Sequence, residues 1–231
     1  MALRDLSQHL PGGYPGSGRG LDNFPKFSPD GQSIAFRTNR NGGEEVYVMD
    51  ANGTNKINVT NHSALDLEFD WSPDGAQIVF TRLVQETYVI YVINTNGSGL
   101  VQVTNSSINS RYAAWSPDGT RIAYSRLITS GNTSFWQVVV RSLVDNTTAI
   151  ISDSTQVAVF PQWSKDSKRI YYNIQRVGLG VRAVDASYNK ILVGHFPRSL
   201  SWSPDGKEFL DADSLGITAV NADLTSMRRL S

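Results

Sequence analysis

The segment Trp71-Ser72-Pro73-Asp74-Gly75 occurs in five related copies along the chain. The other four copies are Phe27-Ser28-Pro29-Asp30-Gly31, Trp115-Ser116-Pro117-Asp118-Gly119, Trp163-Ser164-Lys165-Asp166-Ser167 and Trp202-Ser203-Pro204-Asp205-Gly206. The aromatic residues of successive copies are 44, 44, 48 and 39 positions apart. A period of about 40–45 residues is typical of a repeat that folds as one four-stranded sheet. The sequence is therefore that of a repeat protein.

Each copy is followed by the same sequence of short apolar segments. After Trp71, apolar residues alternate through Ile78 and Phe80, and a second apolar run spans residues 90–93. Turn residues such as Asn96-Gly97 follow, and a short fourth run ends at Thr104. Alternation with period two indicates strands, and Asn-Gly favours a tight hairpin turn. We therefore predict four antiparallel strands in every copy.

The Ser-Pro-Asp-Gly segment is predicted to be the hairpin turn between the first and second strands. Pro presets the backbone dihedral φ, Asp bonds back to the backbone, and Gly accepts a positive φ. The preceding aromatic ring, which buries roughly 150–250 Å², is expected to fill the space between neighbouring sheets. This structural framework comprises Phe27, Trp71, Trp115, Trp163, Trp202, Asp30, Asp74, Asp118, Asp205, Gly31, Gly75, Gly119 and Gly206.

Five sheets with no helical pattern between them predict an all-β fold, a β-propeller of five four-stranded blades. Radial stacking buries both faces of each sheet and leaves only short edges. The predicted domain is 22–231, with blades at approximately 22–60, 61–104, 105–152, 153–193 and 194–231. Residues 1–21 are predicted to be an N-terminal strand and a loop rich in Gly and Pro.

Two ways of completing this propeller are consistent with the sequence. Either residues 3–7 pair with the last blade and close a five-bladed ring, or the blades form an arc of a propeller with six to eight blades. Closure is favoured, because an open arc exposes two sheet faces to water.

The repeat resembles that of the TolB-like β-propeller family. The similarity lies in Trp71-Ser72-Pro73-Asp74-Gly75 with the apolar segments after it, in Val59-Thr60-Asn61-His62, and in Asp66 five residues before Trp71. Asp22 has the same offset from Phe27. Related propellers also accompany some prolyl-oligopeptidase-type peptidases. The resemblance implies a propeller fold, usually with six blades, and a periplasmic setting.

Two copies depart from the pattern. Lys165 and Ser167 replace Pro and Gly in the fourth turn, and Asp211 stands where the other copies have Phe or Tyr. We expect blades 4 and 5 to be less regular.

Composition argues against several classes of protein. The formal net charge is zero, whereas nonspecific nucleic-acid binding needs a basic face. No apolar run approaches the ~20 residues of a membrane span. The chain has no cysteine, and residues 1–10 lack the basic start and apolar centre of a signal peptide. We expect a monomer in a periplasmic or extracellular compartment, with no nucleic acid and no membrane span.

The sequence lacks the common catalytic motifs. It contains no Gly-x-Ser-x-Gly nucleophile turn, no His-Glu-x-x-His helix and no phosphate-binding glycine loop. Only three His are present, and His62 and His195 are expected to lie two blades apart. We therefore predict no catalytic residues, no metal site and no cofactor, and we expect that the protein is not an enzyme.

One propeller face is predicted to carry basic residues. Arg40, Arg82, Arg126 and Arg176 are assigned to loops between second and third strands, and His62 and His195 to loops between blades. These residues are interpreted as a partner-binding rim, since Arg binds carboxylates with paired hydrogen bonds. The competing interpretation is local pairing with Asp22, Asp66 or Glu86. An insertion at residues 130–133, close to Trp136, is the loop expected to give specificity.

These observations favour a non-enzymatic protein-binding or scaffold propeller similar to TolB, which binds another protein or peptide through one loop face. The alternative is a substrate-gating or carbohydrate- or peptide-binding propeller domain of a peptidase or carbohydrate-active enzyme.

Overall fold

A computed structural model describes residues 20–153, 156–194, 200–213 and 216–230, and the side chains of 212 and 213 are not described. These residues form twenty strands in five antiparallel sheets, with no helix among them. The predicted strand at residues 3–7 and the predicted site residue His195 lie outside the described residues. The predicted all-β propeller of five four-stranded blades is confirmed.

Each blade takes its four strands from one sequence repeat, in chain order. Blade 1 contains β1 (Asp22–Phe27), β2 (Ser33–Thr38), β3 (Glu45–Asp50) and β4 (Ile57–Asn58); blade 2 contains β5 (Asp66–Trp71), β6 (Gln77–Val84), β7 (Thr87–Asn94) and β8 (Val101–Gln102). Blade 3 contains β9 (Ser110–Trp115), β10 (Arg121–Ser130), β11 (Thr133–Ser142) and β12 (Thr148–Ile150). Blade 4 contains β13 (Ala158–Trp163), β14 (Arg169–Ile174), β15 (Gly178–Ala183) and β16 (Asn189–Val193); blade 5 contains β17 (Ser201–Trp202), β18 (Glu208–Asp213), β19 (Gly216–Asn221) and β20 (Met227–Arg229).

The first strand of each blade lies at the hub of the propeller. β9 contacts the first strands of both neighbouring blades, β5 and β13. The fourth strands form the outer edges of the sheets and are only two to five residues long. Short edge strands limit sheet-to-sheet aggregation, so the outer strand of each blade offers little backbone for pairing.

The five Ser-x-Asp turns share one hydrogen-bonding pattern. In blade 2, Ser72 Oγ donates to Asp74 Oδ1 at 2.5 Å, and Asp74 Oδ1 also accepts the Ala76 backbone N–H at 3.0 Å. Gly75 adopts the positive φ of 71° that the turn requires. The turn of blade 4, expected to be less regular, keeps the same bonds, with Ser167 at φ 59°. The Ser-Asp pair therefore maintains the turn without Pro and Gly.

Indole rings join successive blades. Trp71, Trp115 and Trp163 are each at most 8% exposed. Trp71 Nε1 donates to the carbonyl of Lys26 at 3.1 Å, and Trp163 Nε1 donates to that of Ala114 at 3.0 Å. Each of these acceptors directly precedes the aromatic residue of the preceding blade, so the ring is both buried and hydrogen-bonded across the junction.

Four hydrophobic clusters bind blade 1 to 2, 2 to 3, 3 to 4 and 4 to 5. Within the described ranges, no such cluster binds blade 5 to blade 1. Phe27, which occupies the position of the buried indoles, is 66% exposed. The described residues therefore make no hydrophobic contact between blade 5 and blade 1, and closure by residues 3–7 stays a prediction.

The turn carboxylates make the stability of the fold depend on pH. Burial opposes the charge on Asp118, but hydrogen bonds from Ser116, the Thr120 N–H and Arg121 outweigh burial and lower the pKa of this carboxyl. A lowered pKa contributes stability above the unfolded-state value of about 4, and this contribution is lost as the pH falls through the folded-state value.

We predict that Asp118→Asn lowers Tm at pH 7 by about 2–4 °C, the shift that ~1 kcal/mol gives in a domain of this size. The difference from wild type narrows as the pH falls below about 4. Thermal unfolding by circular dichroism at several pH values measures this, with the exposed Glu86→Gln as the control. A deficit that stays constant with pH contradicts the prediction.

Candidate functional site

The propeller has two distinct faces. The Ser-x-Asp turns between first and second strands lie on one side, called here the turn face. The connections between second and third strands, and those that lead into each next blade, lie on the opposite side, called the loop face. This division follows from antiparallel order, because each strand reverses the direction of the one before it.

Arg40 lies at the loop face in the connection between β2 and β3. Its Nη2 donates to Asp22 Oδ1 at 2.7 Å, and its guanidinium lies 5.4 Å from the Phe36 ring centroid and 4.9 Å from that of Tyr47. The Arg40 and Asp22 side chains are 29% and 51% exposed. Arg40 thus covers two rings while part of it faces solvent.

Arg82 makes similar ring contacts inside the protein, with its guanidinium 5.2 Å from the Phe80 ring centroid and 5.4 Å from that of Tyr91. Its Nε and Nη2 donate to the two carboxylate oxygens of Asp66 at 2.7 and 2.9 Å, and Nη2 also reaches the Thr60 carbonyl at 3.2 Å. The Arg82 and Asp66 side chains are 5% and 0% exposed. Arg82 therefore pairs locally with Asp66, as in the competing interpretation of the sequence, and its guanidinium does not reach the surface.

Two of the four arginines lie in strands, not in the loops to which the sequence assigned them. Arg82 is within β6 and Arg126 is within β10, because these strands extend to eight and ten residues. β6 and β10 begin at the same repeat position as the six-residue β2 but are two and four residues longer, so the loop starts later. Arg126 is half-buried and donates to Gln137 Oε1 at 3.0 Å.

The remaining described residues of the predicted rim are exposed at the loop face. Arg176 lies in the turn between β14 and β15 with φ 63°. His62 lies between β4 and β5. Its backbone N–H donates to Glu45 Oε1, and its ring Nδ1 accepts the backbone N–H of Ala64. The arginines thus sit one per blade, and the structure gives no direct contact that joins them into one cluster.

The hub carries aromatic residues that were not singled out in the sequence. Phe24, Tyr112 and Phe160 each lie three positions before the repeat aromatic of their blade, at a β-bulge in the first strand. Their φ values are 55°, 60° and 58°. A positive φ is an outlier for bulky side chains, and bulges redirect side chains from the regular sheet pattern. Blades 1, 3 and 4 therefore share a strained position in their first strands.

The residues around Tyr112 form a continuous surface, called here the hub patch. The ring centroid of Tyr112 lies 4.2 Å from that of Phe160 and 6.5 Å from that of Trp136. Phe160 is 40% exposed, and Tyr112 and Trp136 are half-buried. Trp136 reaches the patch because the long hairpin of β10 and β11, the predicted insertion, extends at the loop face. The hub patch comprises Glu68, Tyr88, Arg111, Tyr112, Trp136 and Phe160.

An ion pair supports the rings of the hub patch. Arg111 Nη2 donates to Glu68 Oε1, and the Arg111 guanidinium lies 4.3 Å from the Tyr88 ring centroid and 4.8 Å from that of Tyr112. Burial alone disfavours the charged guanidinium, but Glu68 outweighs it and the pKa of Arg111 is raised. Burial raises the pKa of Tyr112. The aromatic rings of the hub patch thus pack around the ion pair of Arg111 and Glu68.

The hub patch offers a surface, and not an enclosed pocket, for contact with another molecule. A crevice beside Phe160, between blades 4 and 5, is lined by Gln162, Asn173 and Leu200 and is too narrow for a water molecule. Among the described residues, no three His, Asp or Glu side chains come together as metal ligands. The same part of the chain contains no helix long and apolar enough to cross a membrane.

A sequence signal for the hub patch does exist. Aligning the copies on their aromatic residues places Phe24, Tyr112 and Phe160 in one column, with Glu68 in blade 2. In the sequence, these aligned positions look like part of an ordinary strand, because residues at a β-bulge carry no turn motif that would mark them. The contact between Tyr112 and Trp136 comes from two different strands of blade 3 and requires the folded sheet.

The fold is a β-propeller, and the hub patch is an aromatic surface on it. The sequence model of the TolB beta propeller domain matches residues 16–156. This segment is more than half of the chain, so the chain belongs to the TolB β-propeller domain family. No curated protein sequence matches.

Several solved structures share the fold. A protein from Agrobacterium tumefaciens assigned as TolB is 19% identical, with a TM-score of 0.73, over 92% of this chain and 81% of that one. An oligogalacturonate lyase in complex with manganese is 13% identical, with a TM-score of 0.70, over 89% and 63%. Dipeptidyl peptidase 4 from Porphyromonas gingivalis is 13% identical, with a TM-score of 0.62, over 90% and 39%. At these identities the similarity concerns the fold alone.

Arg40 and Arg82 each pair with the corresponding aspartate of their blade, one at the surface and one in the interior, so substitutions at the two positions can be compared. We predict that Arg82→Ala destabilises the protein by about 3–5 kcal/mol, because it leaves the Asp66 carboxylate buried without its partner. Arg40→Ala, which removes the exposed version of the pair, costs about 1 kcal/mol or less.

Urea denaturation of both variants measures the difference. Replacing both members of the buried pair, as in Arg82→Leu with Asp66→Leu, is expected to recover part of the lost stability. Equal destabilisation by Arg82→Ala and Arg40→Ala contradicts the assignment of Arg82 to the interior.

Proposed function

We propose that this chain is a non-enzymatic protein-binding or scaffold propeller, which binds a protein or peptide through its loop face in the periplasm or another extracytoplasmic compartment. Membership of the TolB β-propeller domain family supports the compartment and the class of function. The observation on which the proposal depends is the hub patch, where exposed and half-buried aromatic rings surround a neutralised Arg111–Glu68 pair.

The composition of the hub patch is that of a protein-binding centre. Trp, Tyr and Arg dominate the residues whose truncation costs most binding free energy, and they cluster near the middle of interfaces. Trp136, Tyr112 and Phe160 provide large contact area with few rotatable bonds. The bulges and the ion pair hold these rings before a partner arrives, which reduces the entropy lost on binding.

In this proposal, the residues of the predicted rim surround the hub patch. Arg40, Arg126, Arg176 and His62 are exposed or half-buried around the loop face. Charges at the margin of an interface change the rate of association more than the affinity. Arg82 is excluded from this role by its burial, and it serves the junction between blades 1 and 2.

Substitution of the exposed rings tests this proposal. We predict that Trp136→Ala with Phe160→Ala lowers capture of a partner from a bacterial periplasmic extract at least about tenfold, since each lost hot-spot ring costs roughly 1–2 kcal/mol or more. The matched control is Val144→Ala, which removes an apolar side chain that is 79% exposed on the turn face.

Immobilised wild type and both variants are compared by quantitative mass spectrometry of the retained proteins. Loss of specific proteins with the hub variant and their retention with the control supports the proposal. Equal retention by wild type and hub variant contradicts it.

The contiguous rings of Tyr112, Trp136 and Phe160 also favour a second candidate, a carbohydrate- or peptide-binding propeller domain of an enzyme. Planar apolar surfaces of this size accommodate sugar rings as well as side chains, and solved lyase and peptidase structures share the fold. In this role the loop face gates or binds a substrate for another domain.

We predict for this second candidate that neutral or uronic oligosaccharides change the tryptophan fluorescence of the wild type and leave that of Trp136→Phe unchanged. Titration with oligosaccharides and, separately, with mixed oligopeptides distinguishes the ligand classes. No saturable change with either class removes the second candidate and leaves protein binding unaffected.

A further inference from the structure

The third strand of blade 3 extends past its outer neighbour. The fourth strand, β12, pairs only with residues 139–141 of β11. Ile151 and Ser152 then bond to Val138, and the chain continues from there toward blade 4. Residues 133–137 of β11, called here the open edge, pair with β10 on one side. Among the described residues, no strand pairs with the open edge on the other side.

The open edge presents backbone groups that can bind another strand. Successive residues of a strand direct their backbone N–H and C=O groups to opposite sides. Val138 directs both groups away from β10, because its N–H donates to Ser152 Oγ at 2.9 Å and its carbonyl accepts the Ile151 N–H at 2.9 Å. Trp136 and Ser134 lie two and four positions earlier, so their groups point the same way. Within the described part of the chain, these backbone groups have no partner.

Three other blades occupy the corresponding positions. In blade 1, the carbonyl of Glu44 accepts the Asp66 N–H at 2.7 Å. In blade 2, the N–H of Tyr88 donates to Asn109 Oδ1 at 2.8 Å. In blade 4, β16 pairs with β15 from the first residue of β15 onward. Blade 3 differs from these blades because its hairpin is longer and its fourth strand is not.

The open edge also lacks the features that protect strand edges. Natural edge strands are protected by charged residues, by Pro or by bulges. The segment 127–137 contains no Asp, Glu, Lys, Arg or Pro, and the pairing of β10 with β11 has no bulge. By contrast, Glu86 lies at the tip of the blade 2 hairpin, and Lys190 lies in β16. Blade 3 thus has an uncharged, regular edge next to half-buried aromatic residues.

We propose that the open edge binds an extended segment of a partner protein, which adds to blade 3 as a further strand beside β11. The argument for this occupant is the complementarity of hydrogen bonds. Donor and acceptor pairs that recur at every second residue match the backbone of another strand, and strand addition to a sheet edge is a recurring mode of peptide recognition. The inference rests on the proposed function, to which it adds the conformation of the bound segment.

The geometry also specifies a sequence pattern in the partner. Directly opposite residues of paired strands point their side chains to the same face. The partner residue opposite Trp136 therefore points to the face where Trp136 meets Tyr112 of the hub patch. The residues on either side of it point to the face where Phe135 pairs with Ile128. We expect β-branched or aromatic residues at alternate positions of the bound segment, because these residues suit a half-buried strand.

A proline substitution on the open edge tests the proposal. Pro has no backbone N–H, and at Ser134 the lost N–H is one that points to the open edge and not to β10. The matched control is Thr129→Pro, because Thr129 lies directly opposite Ser134 and directs its N–H to the other side of the hairpin. Both variants lose the hydrogen bond between the Thr129 and Ser134 hydroxyls. Ser134→Ala loses this bond too but keeps the backbone N–H.

The probe is a library of random linear heptapeptides displayed on phage and selected on the wild type. We expect the enriched peptides to show the alternating pattern. Isothermal titration calorimetry with the tightest synthetic peptide is expected to give a Kd at least about tenfold higher for Ser134→Pro. Thr129→Pro and Ser134→Ala are expected to bind like the wild type. Circular dichroism melts establish that each variant is folded.

N-methylated peptides test the same hydrogen bonds on the unchanged protein. Two versions of the peptide carry N-methyl groups on alternate amides, one on the odd and one on the even positions. Because alternate N–H groups of an added strand point to β11, one version is expected to lose binding and the other to keep it. Binding of the unmodified peptide is also expected to slow deuterium exchange at the backbone amides of Ser134 and Trp136.

Several results overturn the inference. These are selection without any enriched peptide, equal binding by Ser134→Pro and wild type, and equal effects of the two N-methylated peptides. Dimerisation of the wild type that Ser134→Pro abolishes, measured by sedimentation velocity, places a second copy at the open edge and also overturns it. If Trp136→Ala with Phe160→Ala loses periplasmic partners while Ser134→Pro retains them, the proposed function stands and the added strand does not.

Discussion

The packing of one aromatic ring against the first strand of the preceding blade is the interaction on which the rest of this structure depends. Trp71 and Trp163 are buried at these junctions, and each donates its indole N–H to a backbone carbonyl of the preceding blade. A four-stranded sheet of this size cannot bury both faces alone. Each blade is therefore stable only through its neighbours, as in other repeat proteins.

The same constraint explains where the aromatic surface of the hub patch lies. Junction residues and Ser-x-Asp turns are committed to holding blades in place, so the turn face offers mainly solvated turns. The first strands meet at the hub, where bulges at Phe24, Tyr112 and Phe160 turn side chains out of the regular pattern. Strained backbone persists only where the surrounding structure imposes it. The rigid junctions thus provide the support for a preformed surface at the axis.

The sequence predicted the elements because their signals are local. Alternating apolar residues and turn chemistry depend on neighbours within a few positions, so the four strands of each blade and the Ser-x-Asp turns follow directly. The turn of blade 4 shows that the hydrogen bond from Ser164 to Asp166 matters more than Pro or Gly. The roles of the arginines were harder to predict, because Arg40 and Arg82 both contact two aromatic rings and an aspartate. Only the folded structure shows that the Arg40 pair is partly exposed and the Arg82 pair is buried.

The sequence by itself determined the repeat, the number of blades and the framework of aromatic residues, since each depends on composition and spacing along the chain. Only the tertiary structure decided which of the equivalent residues are covered. Phe27 and Trp71 occupy one position in the repeat, yet one is exposed and the other is buried. Likewise, Tyr112, Trp136 and Phe160 come together from three strands. Burial and contact depend on residues from neighbouring blades, and a periodic sequence does not specify which of its equivalent residues those neighbours cover.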